Sequence, residues 1–290
     1  MKIQHWAIAG TVCLAVSSAT ASALADDNSI CSGLPSQSKL QMALENAVNQ
    51  NNGGLGFNMW ATLVANDGTV CAVAFSGNRL TDQWLGSRVI SAQKANTAND
   101  FSLGTDADMP SVSVAQHGLA LSTANLFSAV QPGGTLYGLQ HSNPVDPEIA
   151  YQGNAFLYGT ARDPLVGQRV GGVNVFGGGL VLLATGGKKV GGVGVSGDTS
   201  CTDHFVAWRV RNTLGLDNFG PSTAAVGGVS GDTKHPDNII FDFTTTANGG
   251  ILNPNPGGTQ VSSKGGFGHP VCDAGNGTLD PTTLPQVQYK

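Results

Sequence analysis

The chain is poor in charge. Asp, Glu, Lys and Arg make up 11% of its 290 residues, and the formal net charge is −5. There is no basic run, so nucleic acid is not an expected partner, because phosphate binding needs clustered lysine and arginine. Anionic lipid is set aside on the same ground. No apolar run approaches the ~20 residues of a spanning helix, so no membrane span is expected. No C-x-x-C pair signals a zinc site, and no H-x-x-x-H or C-x-x-C-H pair singles out a haem-ligating histidine.

What is present begins with a leader. Lys2 and His5 form a short polar start, Trp6 to Val16 is apolar or small without charge, and Ala23-Leu24-Ala25 is an A-x-A site followed by Asp26 and Asp27. This reads as a signal peptide over 1–25, cut after Ala25, and predicts a periplasmic or secreted protein. Cys31, Cys71, Cys201 and Cys272 remain beyond it. An even cysteine count in an exported chain predicts disulfides. Of the three possible pairings, Cys31–Cys71 with Cys201–Cys272 is favoured because each bond would join a chain end to the core.

Apolar periodicity predicts helices over 38–51, 82–101, 114–127 and 200–214. Trp84, Leu85, Val89, Ala92 and Ala95 would form the buried face of the second. Strands are predicted over 57–65 and 69–75, joined by Asn66-Asp67-Gly68, and over 172–176, 180–184 and 190–195. The stretch 133–169 is turn-rich and long enough to be functional or inserted. These elements predict an α/β (α+β) domain over 26–216, an antiparallel sheet of about five strands packed with helices. Residues 217–290 form a Gly/Pro/Thr-rich extension, expected to lie loosely over the surface or in part disordered, and tethered through Cys272.

Gly192 to Gly197 reads G-x-G-x-x-G, with Asp217 twenty residues on. A dinucleotide turn needs its first glycine at a strand end and its third inside a helix. Here Val193 and Val195 alternate through the motif and helix signals start only after Gly197, so the first two glycines belong to a strand. Ser200 is the expected N-cap, with Asp203 three residues on. Backbone N–H groups near Gly197, Thr199 and Ser200 would favour a carboxylate or another anion. Gly194 to Thr199, GVSGDT, recurs at Gly228 to Thr233 and reads as shared turn chemistry. Ser196 does not complete G-x-S-x-G, because Asp198 stands at the second glycine.

The stretch KKVGGVGVSGDTSCTDHFVAWR resembles the C-terminal signature of the GlcG/HbpS family, and RLTDQWLGSRVISAQKANTANDF resembles its other signature, with K-A-x-T-A at Lys94 to Ala98. Gly171 to Leu183 is similar to its glycine-rich middle strands. The resemblance runs from about Ser38 to Leu216. The loop over 133–169 is longer than in compact members, and of the family's acidic cluster only Asp203 is retained. The resemblance implies a profilin-like antiparallel sheet with helices around it, a symmetric homo-oligomer, and haem or a related tetrapyrrole as cofactor, with uptake, sensing or degradation of haem as the associated roles. His141 is the first candidate for the iron ligand and His117 the second. Lys94 and Arg88 are the candidate partners of the propionates, and Gly197, Thr199 and Ser200 are further ligand-binding candidates. Two other readings stay open: an enzyme acting on a small carboxylate at the Gly197–Ser200 helix end, and a structural or sensory module whose oligomer surface is the function.

Overall fold

The first helix starts where Ser36 accepts a hydrogen bond from Lys39 N–H. Helix α1 then runs over Gln37–Val48, and Leu40, Ala43, Leu44 and Ala47 recur on its buried face. A computed structural model describes residues 30–106, 117–242, 265–273, 277 and 279–290. The predicted signal peptide, residues 1–25, lies outside the described residues.

Strands β1 (Trp60–Ala65) and β2 (Val70–Phe75) form the expected hairpin. Asp67 accepts from Thr69 N–H in its turn, and Gly68 supplies a positive φ of 83°. Helix α2 covers Ser87–Asp100. After it come β3 (Leu119–Ala120) and three single-turn helices, α3 (Leu126–Ala129), α4 (Leu139–Ser142) and α5 (Pro147–Ala150). Strands β4 (Gly179–Ala184) and β5 (Lys188–Ser196), helix α6 (Ser200–Thr213) and β6 (Gly227–Gly228) complete the order.

The main sheet is antiparallel and four-stranded, in the order β2-β1-β5-β4. Helix α2 lies on one face, and α1 and α6 lie on the other. Burial on both faces explains why β1, WATLVA, is buried at every position. Leu63, Val193 and Val195 point toward α1 and α6, into a core with Leu40, Leu44, Phe205 and Trp208. Trp60, Val64 and Val73 point toward α2, into a second core with Val89, Ala92 and Ala95.

The glycines of G-x-G-x-x-G work at this second face. A Cβ on Gly194 would overlap the backbone oxygen of Ser91, and one on Gly192 would overlap that of Ala95. Gly179 of β4 meets Lys94 O in the same way. Helix α2 therefore lies with its backbone against the sheet. Ser91 answers with a hydroxyl contact to Thr62 Oγ1 at 2.7 Å.

Several expectations are corrected. Of the third predicted helix, residues 114–116 lie outside the described residues, and the rest is β3 followed by the single turn α3. Residues 172–176 do not form a strand; Asn174 N–H donates to Thr97 Oγ1, so this segment follows α2 instead of a strand edge. Trp84 and Leu85 precede α2 and are more than half exposed. The described part of the extension is packed. Phe219, Ile239, Leu284 and Val287 join the main core, and β6 pairs in parallel with β3. Trp208 Nε1–H donates to Pro285 O, and Arg211 makes a buried bidentate pair with Asp237.

Close contact between α2 and the sheet predicts a sharp contrast between two substitutions. Gly194→Ala should destabilise the protein by about 3 kcal/mol or more in urea unfolding, since backbone must move. Gly86→Ala, which meets open space at the start of α2, should cost less than about 1 kcal/mol. Equal effects would contradict this packing.

Candidate functional site

Helix α6 begins at a sharp turn after β5. Its N-cap is Thr199, whose hydroxyl accepts from Thr202 N–H; the expected cap, Ser200, is the first helical residue. The turn is held from within. Asp203 Oδ1 accepts from Gly197 N–H at 3.1 Å and from Asp198 N–H at 2.9 Å. Its other oxygen accepts from Lys94 Nζ at 2.6 Å, and the ammonium also donates to Val195 O and lies 4.1 Å from the Phe176 ring centroid. Lys94 and Asp203 are fully buried. Burial pushes the Asp203 carboxyl up to about 6, against the pull of Lys94 and the backbone donors. Burial likewise lowers Lys94.

Neighbouring groups are also satisfied inside the protein. Asp198 accepts from Leu55 and Phe57 N–H and pins the preceding loop. In the second copy of GVSGDT, Asp232 accepts from Lys234 N–H and contacts His235 Nδ1 at 2.7 Å, so both copies use their aspartate to hold a turn. Ser200 Oγ accepts from Gly177 N–H at 2.7 Å and contacts His269 Nε2 at 2.7 Å. His269 Nδ1 faces Pro270 O at 2.6 Å, so Nδ1 carries the proton and Nε2 accepts from the serine hydroxyl. Beside them, Cys201 N–H donates to Cys272 Sγ at 3.2 Å. Two disulfides are present, Cys31–Cys71 and Cys201–Cys272.

The structure gathers Lys94, Gly197, Thr199 and Ser200 at the start of α6 and separates them from the other predicted residues. Lys94 is engaged by Asp203 and offers no charge to a ligand propionate. Arg88 is 2% exposed and is held by Asp163, with its Nε donating at 2.9 Å; Ala150 O accepts another of its protons and the Tyr158 ring stacks on it. Asp163 belongs to the long loop over 133–169, so Arg88 anchors that loop to α2. Of the N–H groups expected to take an external anion, that of Gly197 serves Asp203 and that of Thr199 serves Asp198. His141 lies exposed on α4. His117 is also exposed, and its N–H donates to Ala225 O.

Beside α4 is a groove of about 350 Å3 whose lining includes Asn96, Asp100, Ser142, Asn143, Arg169 and Gly172. Arg169 is 65% exposed and pairs with Asp67. A larger cavity of about 470 Å3 lies between β6 and the C-terminal end, lined in part by Ala225, Gly228, Pro236 and Tyr289. His269, Asp163 and Asp237 are the residues that sequence reasoning missed. Adjacency of His269 to Cys272 is the one signal that could have placed it near α6.

The fold and the buried lysine–aspartate brace define a four-stranded sheet domain whose two signature segments meet at the start of α6. The sequence profile described as haem degrading protein HbpS-like matches residues 37–211, and the chain belongs to this HbpS-like family. Klebsiella pneumoniae protein ORFY, of the DUF336 family, is 22% identical, with 61% of this chain and 86% of that chain covered at a TM-score of 0.38. PduOC, in a crystal structure of its complex with heme, is 21% identical, with 61% of this chain and 90% of that chain covered at a TM-score of 0.38. HbpS is 15% identical, covering 61% and 86% at a TM-score of 0.36. No curated protein matches the chain in sequence.

Burial also sets a pH dependence. It pushes His204 and His269 each down to about 4 from an ordinary 6.5, with Asp237 and the Asn238 bond working against it at His204 and the Pro270 bond at His269. Between those values the unfolded chain binds more protons, so acidification through this window destabilises the fold. Asp203, raised in the fold, acts in the opposite sense below about 6 and offsets part of the loss. Unfolding free energy should fall by roughly 2–3 kcal/mol from pH 7 to pH 5, and His204→Asn should flatten the profile. A stability constant or rising over that range would contradict the assignment.

Proposed function

We propose that the protein is an exported haem-binding protein with its ligand in the groove beside α4. Family membership over 37–211 is the observation that carries this reading. The residues present fit the group. His141, which precedes the lining residue Ser142 on α4, offers an exposed imidazole, a common haem-iron ligand. Arg169 offers an exposed guanidinium whose partner, Asp67, is itself at the surface, so a propionate can replace it at little cost. The groove lies within the size range of small-molecule sites. Bound haem supplies an iron centre for oxygen or electron chemistry. The chain's own residues would orient it: His141 at the metal and Arg169 at a propionate.

Two disulfides support an oxidising location, periplasmic or secreted. No helix of the described residues is long and apolar enough to cross a membrane. A homo-oligomer is supported by the exposed apolar cluster of Leu55, Phe57, Trp84 and Leu85, where Phe57 and Trp84 meet edge to face at 5.2 Å.

Hemin titration tests the reading. The mature protein should give a saturable Soret shift, His141→Ala should weaken it at least tenfold, and His117→Ala should leave it unchanged. No saturable shift overturns haem binding. A shift that His141→Ala does not touch overturns the groove and moves attention to the cavity beside Tyr289. Bleaching of the Soret band with biliverdin formation under a reductant separates degradation from carriage, and native mass gives the subunit count.

A further inference from the structure

The start of α6 brings together three groups that neither the fold's brace nor the haem reading uses. Cys201 Sγ, Cys272 Sγ and a ring nitrogen of His269 lie within 4.8 Å of one another. Two elements far apart in sequence supply them: the first turn of α6, and the segment 269–272 that the disulfide ties down. His269 is 2% exposed and its orientation is fixed. Its Nδ1–H is committed to Pro270 O, which leaves the Nε2 lone pair directed at Ser200 Oγ. A metal-ligating histidine is held in this same way, one nitrogen on a backbone carbonyl and the other free for the ion. The sulfurs are likewise prepared, since Cys201 N–H already points at Cys272 Sγ at the helix start and would support a thiolate there.

We infer that reducing the Cys201–Cys272 disulfide uncovers a binding site for a thiophilic divalent cation such as zinc(II), held by both cysteine sulfurs and His269. Cys272 is the more accessible sulfur, as Cys201 is 2% exposed. A thiolate of an external dithiol attacks Cys272 Sγ, and the S–S bond breaks with its electron pair passing to Cys201 Sγ. The second thiol of the reductant then attacks the mixed disulfide and releases Cys272, so the dithiol supplies both electrons and leaves as a cyclic disulfide. The metal takes the two thiolates and Nε2, and the two thiol protons pass to solvent. Ser200 Oγ gives up its contact with Nε2. Three protein ligands leave a fourth position open, as in zinc sites that act on a bound water or ligand.

Cobalt(II) is the probe, added to the full mature protein before and after reduction and removal of the reductant. The oxidised protein should show no cobalt spectrum. The reduced protein should take up one equivalent and show the visible bands and sulfur charge-transfer absorption of a tetrahedral thiolate site. A variant with Cys31→Ser and Cys71→Ser should behave like wild type, which excludes the other disulfide. Cys201→Ser should abolish the spectrum. His269→Gln should weaken binding by more than the roughly tenfold that losing a supporting contact costs. Absence of the bands in reduced wild-type protein, folded or not, overturns the inference. So does a cobalt spectrum that survives Cys201→Ser.

Discussion

The buried ion pair of Lys94 and Asp203 is the constraint on which the rest of this structure depends. Both groups are removed from water, so each requires the other. Lys94 sits on α2 and Asp203 on α6, on opposite faces of the sheet, and they meet where β5 ends. The same carboxylate takes the N–H groups of Gly197 and Asp198. One side chain thus fixes the strand-to-helix turn and locks the two helical layers together. Together with Thr199 N–H, which donates to Asp198, these N–H groups are spent inside the protein.

The glycines follow from the same geometry. For Lys94 to reach past the sheet, α2 must lie against it, and only residues without a Cβ at 179, 192 and 194 allow that approach. The G-x-G-x-x-G spacing is then a record of strand alternation, with glycine on the α2 face and valine on the other. Two further buried arginines extend the principle outward. Arg88 with Asp163 fixes the long loop, and Arg211 with Asp237 fixes the C-terminal extension. A chain with little charge places a notable part of it inside, as pairs between segments distant in sequence.

This explains what could be read from the sequence. The β1–β2 hairpin, α1, α2, β4, β5 and α6 were legible because each has its own period or turn signal. The strand nature of GVGVS was legible from alternation alone. Lys94 was identified as a motif residue, but its role was not, because Asp203 lies 109 positions away and pairing leaves no local mark. Arg88 was misplaced for the same reason. The extension looked loose because its composition lacks periodicity, yet it packs through single residues such as Phe219 and Leu284 and through hydrogen bonds to irregular backbone. His141 is exposed on α4, and Arg169 is a cation that the family signature does not mark.

The brace gives two signature residues a structural role: Lys94 and Asp203 hold the fold. A double-mutant cycle in urea tests this most directly, with Lys94→Met, Asp203→Asn and the two combined. The account predicts that each single change costs about 3–5 kcal/mol, and that the double variant costs at least about 2 kcal/mol less than their sum. Additive effects, or single changes within about 0.5 kcal/mol of wild type, would contradict it.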